Sequence, residues 1–526
     1  MDSLPKDVDV LIVGYGPVGA AMAGLLGGYG VRTLVVDKAA EIWMAPRAIT
    51  LDNEALRILQ MVGLSEDAFA KVPIPEVRLH CPHLGEFGRI NTSGEIDGHP
   101  KLVTFYQPEL ERALRTHVEE QRSVSARTGT EMVRFTEDAD GVAVVLKTES
   151  GPECTVRARY LIGADGASSN VRSAIGEDFQ GRTYAEDWLI VDALDVPGDF
   201  DHVEFLCNPD RPTPHMIAPG GRTRWEFMLK PGETREEMEK DSTIAELLRP
   251  WAKPGDLRIE RKAVYRFHAR ACNRFSRGRV FLAGDAAHVT PPFVGQGLVA
   301  GLRDAANLAW KLAWVVRGRA SETILDTYDQ ERRPHAVKMI ALAKLMGQMV
   351  MPRDHARAVL VHGAMALLRR IPPVRGFFDE LGIKPKNVYR EGLFAPAVNG
   401  GRRGTWLPQG AVRSAAGSET LSDDVLGPEL ALLGLGDDPT RWLTSARRRR
   451  WACAGGRIVS VHGRSERGPT PVGSCEDLEG RLLPGVAPQG WCLVVRPDRT
   501  VLHEGPIENA DQIVRESLRL LGSPAT

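Results

Sequence analysis

Residues 7–38, DVDVLIVGYGPVGAAMAGLLGGYGVRTLVVDK, decide the fold class of this chain. The apolar run Val10–Val13 predicts a buried strand, the Ala/Leu/Gly-rich stretch after it predicts a helix, and Leu34–Val36 predicts a second strand. A strand, a helix and a strand in this order are typical of the first unit of an open α/β sheet.

Three glycines and one acid in this unit have the spacing of a dinucleotide-binding site. Gly14 permits the tight turn, Gly16 lets the backbone approach a pyrophosphate at the helix N-terminus, and Gly19 allows close helix–strand packing. Asp37, at the end of the second strand, can accept hydrogen bonds from ribose hydroxyls. The motif predicts NAD, NADP or FAD; the alternative is glycine-rich packing without a ligand.

Two later segments also bring an acid to the end of an apolar strand. Tyr160–Gly163 leads to Asp165, and residues 279–298, RVFLAGDAAHVTPPFVGQGL, contain Asp285 before a Pro/Gly-rich turn. Ligands of open α/β sheets bind at this edge of the sheet. Alone, Asp165 and the glycine after it would form an ordinary turn. Together with Asp285, this segment forms a repeated pattern.

Composition favours small-molecule chemistry. A chain of 526 residues is long enough for about two or three domains. Its 67 basic and 68 acidic residues give no overall field that would attract nucleic acid or a membrane surface. The seven cysteines are scattered without a C-x-x-C pair or metal-like spacing, so we expect a reduced, cytoplasmic protein with no metal site.

The uncharged run Val10–Val31 could suggest a membrane span or a signal peptide. It contains seven glycines, and acidic residues precede it where a signal peptide carries positive charge. We therefore expect neither secretion nor membrane insertion.

The three motifs together resemble those of the single-component (class A) FAD-dependent aromatic hydroxylases, the para-hydroxybenzoate and phenol hydroxylase group. The matching segments are residues 7–38, YLIGADGASSNVR at 160–172 and RVFLAGDAAHVTPPFVGQGLVAGLRDAANLAWKL at 279–312. The resemblance extends from the N-terminus to about residue 390. Within the group, PPFVGQG at 291–297 and RWEFMLKPGE at 224–233 are most similar to the 3-(3-hydroxyphenyl)propionate hydroxylases.

The resemblance implies an α/β fold: a Rossmann-type, GR2-like FAD-binding domain, an inserted antiparallel-sheet substrate domain and a C-terminal thioredoxin-like domain. The expected divisions are the first part of the FAD-binding domain at 1–179, the substrate-binding sheet at 180–275, the second FAD-binding part with helices at 276–396, and the thioredoxin-like domain at 397–526. That last domain lacks a redox dithiol and would be structural or interfacial. In the helical region 303–349, Pro334 predicts a break or a new start.

The resemblance also assigns residues to the cofactor. Asp285 would hold the ribityl chain of FAD, and the turn at 291–297 would present backbone N–H groups to the flavin ring. Arg47 would lie near the flavin, with a solvated loop charge as the alternative. The expected FAD-binding residues are Gly14, Gly16, Pro17, Gly19, Asp37, Lys38, Arg47, Gln107, Asp165, Gly284, Asp285, Pro292, Gly295, Gln296, Gly297 and Leu298.

The chemistry of this family implies a second substrate and an activated phenol. FAD is reduced by NADH or NADPH, which must bind transiently because the only G-x-G-x-x-G is used by FAD. The reduced flavin then forms a hydroperoxide with dioxygen, and its outer oxygen attacks an ionised phenol. We expect ortho-hydroxylation of a 3-(3-hydroxyphenyl)propionate-like compound to a catechol, as in aromatic catabolism.

Phenol ionisation requires a base or an anion-stabilising partner. Arg47 and Asp52 are the catalytic candidates, although an N-terminal helix cap explains Asp52 equally well. Trp225, Phe227, Met228 and Pro292 are the candidate substrate-binding residues, with core packing as the alternative for the two aromatic residues. His288 is either a buried structural histidine or a functional one, and no proton transfer is assigned to it.

Two other functions stay open. One is a different FAD oxidoreductase on this scaffold, such as a polyketide-tailoring monooxygenase or a reductase of the geranylgeranyl type. The other is a non-catalytic flavoprotein or assembly subunit that uses the C-terminal domain. The expected partners are a small aromatic substrate and dioxygen, with no nucleic acid and no membrane; a homodimer is left open.

Overall fold

The computed structural model describes residues 4–45, 47–148, 151–198, 200–253, 255–352, 354–373, 376, 384–396, 401–464 and 473–522. The elements up to residue 174 are β1 (Asp7–Val13), α1 (Pro17–Gly28), β2 (Thr33–Val36), β3 (Thr50–Asp52), α2 (Asn53–Val62), β4 (Lys71–Pro73), β5 (Glu76–Cys81), β6 (Gly85–Asn91), β7 (Glu95–Ile96), β8 (His99–Pro100), β9 (Leu102–Phe105), α3 (Gln107–Glu119), β10 (Val124–Arg127), β11 (Thr130–Glu137), β12 (Val142–Thr148), β13 (Cys154–Gly163) and α4 (Asn170–Ala174).

The central part alternates long strands with helices. Its elements are β14 (Phe179–Leu194), β15 (Val203–Leu206), β16 (Thr213–Ala218), β17 (Arg222–Met228), α5 (Arg235–Met238), α6 (Asp241–Leu248), β18 (Arg258–Cys272), β19 (Ser276–Arg277), β20 (Val280–Leu282), β21 (His288–Val289), α7 (Gly297–Val316), α8 (Thr327–Val350) and α9 (His355–Leu368). Short 3-10 helices at Gly284–Ala286 and Pro292–Val294 form the turn between β20 and α7.

The C-terminal part is built around a sheet of its own. Its elements are β22 (Ala411–Ser414), β23 (Glu419–Leu421), α10 (Ser422–Leu426), β24 (Leu430–Leu435), α11 (Ser445–Cys453), β25 (Gly456–Gly463), β26 (Ser474–Asp477), β27 (Trp491–Val495), β28 (Val501–Pro506) and α12 (Ala510–Leu520).

The first sheet brings the three predicted motifs to one edge. It has eight strands, in the order β10-β2-β1-β13-β12-β11, with β20 beside β13 and β19 beside β20. Strand β1 is parallel to β13, and β13 is parallel to β20. The carboxyl ends of these strands therefore lie side by side, and Gly14, Asp165 and Asp285 follow them.

A second eight-stranded sheet, the roof sheet, has the order β21-β18-β14-β17-β16-β15-β5-β6. Its long strands β14, β17 and β18 are antiparallel. It also contains β5 and β6, which precede the predicted domain boundary at residue 180. Strand β5 pairs with β15, and β6 pairs with β5, so the two cover what would otherwise be an open edge at β15.

The proline predicted to interrupt the helical region does not interrupt it. Helix α8 runs through Pro334 from Thr327 to Val350. Buried contacts hold the helix on both sides of the proline: Tyr328 donates to the Leu282 carbonyl, and Met339 lies in an apolar cluster. We infer that this packing outweighs the lost backbone hydrogen bond.

Buried ion pairs fix the C-terminal part to the rest of the protein. Arg57 of α2 is fully buried and binds both carboxylate oxygens of Asp423 on α10, each at 2.8 Å. Arg496 after β27 binds both carboxylate oxygens of Glu331 on α8 at 2.8 Å. The two parts therefore share buried charges that neither could leave unpaired without cost.

Three general features concern the described residues. Within the described ranges, no helix combines the length and apolar character needed to cross a bilayer. All seven cysteines are free thiols. The same ranges contain no cluster of three or more His, Cys, Asp or Glu side chains suited to a metal ion.

Candidate active site

The glycine-rich turn after β1 leaves an open cradle at the N-terminus of α1. Gly14 has φ +104°, and a Cβ there would lie 2.3 Å from the carbonyl oxygen of Ala164. A Cβ on Gly19 would lie 1.9 Å from the carbonyl oxygen of Gly14. A Cβ on Gly16 would meet no protein atom within 4 Å, and no described side chain caps the helix. Free N–H groups and open space here fit a pyrophosphate.

Asp37 is oriented by the backbone at the end of β2. Its two carboxylate oxygens accept hydrogen bonds from the N–H groups of Tyr15 at 2.7 Å and Ala39 at 2.8 Å. Each oxygen keeps a further lone pair, so the half-buried carboxylate can still accept ribose hydroxyls. Lys38, the other candidate here, is exposed.

The side chain of Asp165 is used within its own turn. Its carboxylate accepts hydrogen bonds from the hydroxyl of Ser169 and from the N–H groups of Asn170 and Val171. Burial raises its pKa, and these hydrogen bonds oppose the rise. The carboxylate thus shapes the turn before α4, while the adjacent backbone of Ala164 packs against Gly14.

Arg47, Gln107 and Asp285 meet although they are far apart in the sequence. The side-chain oxygen of Gln107 accepts hydrogen bonds from the N–H groups of Arg47 at 3.2 Å and Ala48 at 3.1 Å. The Arg47 guanidinium lies 3.9 Å from the carboxylate of Asp285, and the side chains are 65% and 38% exposed. Burial raises the pKa of Asp285, and Arg47 opposes this. The exposed parts of both groups remain available to a ligand.

The Gln296 side chain ties the turn after β20 to a buried charge cluster. Its amide nitrogen donates to Asp52 at 2.9 Å, and its oxygen accepts from Arg303 at 3.1 Å. Lys384 also donates to Asp52, at 2.6 Å. Gly295 in this turn has φ +60°. Gln296 therefore holds the turn with its side chain, and only its backbone is left for a cofactor.

This geometry contradicts the role of catalytic base for Asp52. The carboxylate caps α2 by accepting from the N–H of Ala55 at 2.9 Å, and its other oxygen accepts from Gln296, Arg303 and Lys384. Burial opposes its ionisation, but Lys384 and Arg303 outweigh burial and hold its pKa below the usual range. A saturated carboxylate with a low pKa is a poor proton acceptor.

His288 has a structural environment. Its ring lies 2.7 Å from the carboxylate of Asp304, and both residues are buried. Asp304 also accepts from the N–H of Gly284 at 3.0 Å and from Arg332 at 2.8 Å. The pair supports the turn that carries Asp285, and no reacting group is needed to explain it.

The predicted substrate residues Trp225 and Phe227 lie on the face of the roof sheet that points away from the cofactor edge. They are 0% and 2% exposed and pack on Trp251, with ring centroids 5.9 Å and 6.2 Å apart. We call this the outer face; its apolar cluster includes Ile244 and Leu248 of α6. Because side chains alternate along a strand, these aromatic residues point away from the cofactor edge.

The inner face of the roof sheet contacts the segment before β3. Arg224 of β17 donates to the carbonyl oxygen of Arg47 at 3.1 Å. The same guanidinium binds both carboxylate oxygens of Asp192, at 2.6 and 2.9 Å, and Arg261 adds a bond at 3.2 Å. The Arg47 guanidinium lies 5.5 Å from the centre of the Tyr265 ring. Sequence reasoning missed these residues, because both faces of β17 are buried and alternation along the strand does not mark the inner one.

The inner face also contacts the turn after β20. The rings of Trp188 on β14 and Phe293 in the turn lie 5.9 Å apart. Met228 of β17 pairs with Trp188 and packs in the same apolar cluster. The roof sheet thus contacts both the Arg47 segment and the Pro292–Val294 turn.

Comparisons with known proteins agree with this geometry. Residues 7–343 match the model of a family described as FAD binding domain, and residues 404–520 match one described as HcaD C-terminal domain. The chain is 33% identical to the 3-(3-hydroxy-phenyl)propionate/3-hydroxycinnamic acid hydroxylase of Comamonas testosteroni, over 98% of each protein. It is 35% identical to the protein of that name from Escherichia coli (strain SMS-3-5 / SECEC), over 94% of this chain and 91% of that protein.

Solved structures share the fold. The flavin-dependent monooxygenase PieE, crystallised with FAD and substrate, has a TM-score of 0.81 and 23% identity over 99% of this chain and 100% of that chain. Aklavinone-11 hydroxylase, crystallised with FAD and aklavinone, has a TM-score of 0.79 and 24% identity over the same shares. The fold is therefore that of FAD-dependent monooxygenases, mixed α/β with several sheets.

The family match, the near-full-length relatives and the open cradle after β1 all identify FAD as the cofactor. The chain belongs to the single-component FAD-dependent aromatic hydroxylases, and the protein is an FAD-dependent monooxygenase.

Proposed function

We propose that this protein uses NADH or NADPH and dioxygen to convert a 3-(3-hydroxyphenyl)propionate-like phenol to a catechol by ortho-hydroxylation. One structural observation carries the proposal: the inner face of the roof sheet contacts the two segments predicted to hold the flavin, the Arg47 segment and the Pro292–Val294 turn. The names of the two relatives, at 33% and 35% identity, support the choice of substrate.

The cofactor would lie along the edge of the first sheet. Its pyrophosphate would bind at the N-terminus of α1, its ribose on Asp37 and its ribityl chain near Asp285. When bound, FAD supplies hydride acceptance and dioxygen activation. We propose direct contacts for Gly14, Gly16, Pro17, Gly19, Asp37, Lys38, Arg47, Gln107, Gly284, Asp285, Pro292, Gly295, Gly297 and Leu298, and indirect roles for Asp165 and Gln296.

The substrate would lie between the turn and the inner face of the roof sheet. Met228 and Pro292 keep their places among the proposed substrate contacts, and Trp188 replaces Trp225 and Phe227. These apolar groups would position the ring and exclude water. Arg47, with its exposed guanidinium, would influence the flavin position and so couple hydride transfer to substrate binding.

The C-terminal part has a strand order that supports a thioredoxin-like domain. Strand β24 is parallel to β25 and antiparallel to β27, and β27 is antiparallel to β28. We propose the divisions 1–179, 180–275, 276–396 and 397–526, with a structural C-terminal domain. We also propose a cytoplasmic protein, because its seven cysteines are free thiols, and a homodimer as the state to test by light scattering.

A polyketide-tailoring monooxygenase is the second candidate function. The structures of PieE and aklavinone-11 hydroxylase, at 23% and 24% identity, support only a common fold. The near-full-length relatives favour the simple phenol. A substrate panel separates the two: 3-(3-hydroxyphenyl)propionate should accelerate NAD(P)H oxidation and yield a catechol, whereas acceleration only by polycyclic phenols would favour the alternative.

A further inference from the structure

Glu226 lies between the two contacts that the roof sheet makes with the proposed flavin site. On β17, Arg224 reaches the carbonyl oxygen of Arg47, and Met228 packs in the cluster that contains Phe293. Residues two apart on a strand share a face, so Glu226 points to the same side as both neighbours. Its carboxyl group therefore faces the space between the Arg47 segment and the turn after β20.

The carboxyl group of Glu226 has no hydrogen-bond partner among the described residues. The residue is 6% exposed, and among the described residues no hydrogen bond or ion pair involves its side chain. The residue opposite Glu226 on the neighbouring strand β14 is Ile190, whose side chain has no polar atom. A buried polar group that lacks a protein partner is expected to meet a ligand or water.

The charges around Glu226 are already committed to one another. The groups that influence it are Arg224 on its own strand, Asp192 on β14 and Arg261 on β18. Arg224 donates hydrogen bonds to both carboxylate oxygens of Asp192, which also accepts one from Arg261. Arg261 also donates to the hydroxyl of Tyr265, at 2.8 Å. On β16, His215 pairs with Trp225 on the outer face. Glu226 is thus a fourth charge beside three that already pair with one another.

The position of Glu226 suits proton transfer from a phenol. Burial raises its pKa; Arg224 lowers it, Asp192 raises it and Arg261 lowers it, and the net shift is upward. A higher pKa brings the carboxylate closer to that of a phenol, which makes it a better proton acceptor. The other acids at the site are less suited: Asp52 is saturated with hydrogen bonds, and Asp285 is the proposed partner of the ribityl chain of FAD.

We propose that Glu226 is the catalytic residue that accepts the proton of the substrate's phenolic hydroxyl. This inference rests on the function proposed above. The O–H bond of the phenol breaks, its electron pair stays on the phenolate oxygen, and a new O–H bond forms on the Glu226 carboxylate. The ionised ring is electron-rich enough to be attacked at the ortho position. The hydroxylated ring then loses its ortho C–H proton to solvent while Glu226 returns its proton to the phenolic oxygen, which gives the catechol.

The test compares Glu226→Gln with wild type, both loaded with FAD, using 3-(3-hydroxyphenyl)propionate and NADH or NADPH. Glu204→Gln, on the opposite face of the same sheet beside His215, is the matched control. We expect Glu226→Gln to bind FAD and to show phenol-stimulated flavin reduction. Catechol formation from the reduced enzyme should fall about 100-fold at pH 7, with hydrogen peroxide produced instead.

The pH profile distinguishes a proton acceptor from a structural group. As the pH approaches that at which the free phenol ionises, the deficit of Glu226→Gln should shrink, because the substrate then arrives as phenolate. An equal deficit at every pH, or a catechol yield like that of Glu204→Gln, would overturn the role of Glu226. If wild type forms no catechol, the proposed function fails, and the role of Glu226 as phenol base fails with it.

Discussion

The guanidinium of Arg224 on the roof sheet donates a hydrogen bond of 3.1 Å to the backbone carbonyl of Arg47. This bond links the sheet proposed to cover the substrate to the residue proposed to influence the flavin. Two hydrogen bonds from Arg224 to the carboxylate of Asp192 fix the orientation of the guanidinium, so this orientation depends on an intact roof sheet. A substrate that contacts the inner face could thereby affect the Arg47 segment.

Arg224→Lys should weaken this coupling. A lysine keeps the charge but cannot bind both oxygens of Asp192 and reach Arg47 as well, because its ammonium lacks the planar fork. We expect FAD content to stay near wild type while the stimulation of flavin reduction by the phenol falls several-fold in stopped-flow measurements. Arg222→Lys, on the same strand as Arg224, perturbs an ion pair with Glu260 of β18 and is the control. Full stimulation in Arg224→Lys would contradict the coupling.

Two glycines of one motif should respond differently to alanine. Gly16→Ala adds a methyl group to open space, so the protein without FAD should keep its melting temperature and lose FAD affinity. Gly19→Ala would place a Cβ 1.9 Å from the Gly14 carbonyl oxygen, so the fold itself should be damaged. Thermal melts and FAD titrations separate these effects. An unchanged FAD affinity in Gly16→Ala would contradict pyrophosphate binding at this glycine-rich turn.

Asp285→Ala should impair FAD retention more than folding. The side chain is 38% exposed at the carboxyl edge of the first sheet, and its charged neighbour Arg47 is itself largely exposed. Loss of a charge-assisted hydrogen bond to the cofactor should weaken FAD binding by about tenfold, roughly 1.4 kcal/mol. Fluorescence titration measures it. A large fall in melting temperature with unchanged FAD affinity would instead make Asp285 a structural residue.

Asp423→Asn should strongly destabilise the protein. It removes the bidentate carboxylate partner of the fully buried Arg57, which keeps only Asp97, at 3.1 Å, as an ionised partner. The loss should therefore lie at the lower end of the about 3–5 kcal/mol that removing one member of a buried pair costs. The free energy of unfolding in denaturant measures this loss. Asp424→Asn, one residue further on and exposed, is the control and should change stability little. Similar stabilities for the two variants would show that the C-terminal part is not held by this pair.

The cofactor edge could be predicted from the sequence because its determinants are local. Gly14, Gly16 and Gly19 act within one turn, and strand β1 with its neighbours follows from short apolar runs. Residues 224–233 also identified a segment near the site. Alternation along β17 could not tell which face is the inner one, because both faces are buried. Trp225 packs against α6 on the outer face, and Glu226 on the other face is only 6% exposed.

Other parts of the site depend on contacts between distant residues. Lys384 reaches Asp52, and this pairing turns a predicted base into an ion-paired helix cap. No local pattern marks Lys384, because its partner lies near the other end of the domain. Similarly, Pro334 is a helix breaker by its own chemistry, and only the tertiary packing of α8 reveals that the helix continues.

The central claim is best tested by following flavin reduction and product in one experiment. FAD-loaded protein is mixed with NADH or NADPH, with and without 3-(3-hydroxyphenyl)propionate, and then with dioxygen. We predict that the phenol accelerates flavin reduction and that one catechol forms for each NAD(P)H consumed. If neither phenylpropionates nor simpler phenols accelerate reduction or emerge as catechols, the proposed hydroxylation of a simple phenol is contradicted.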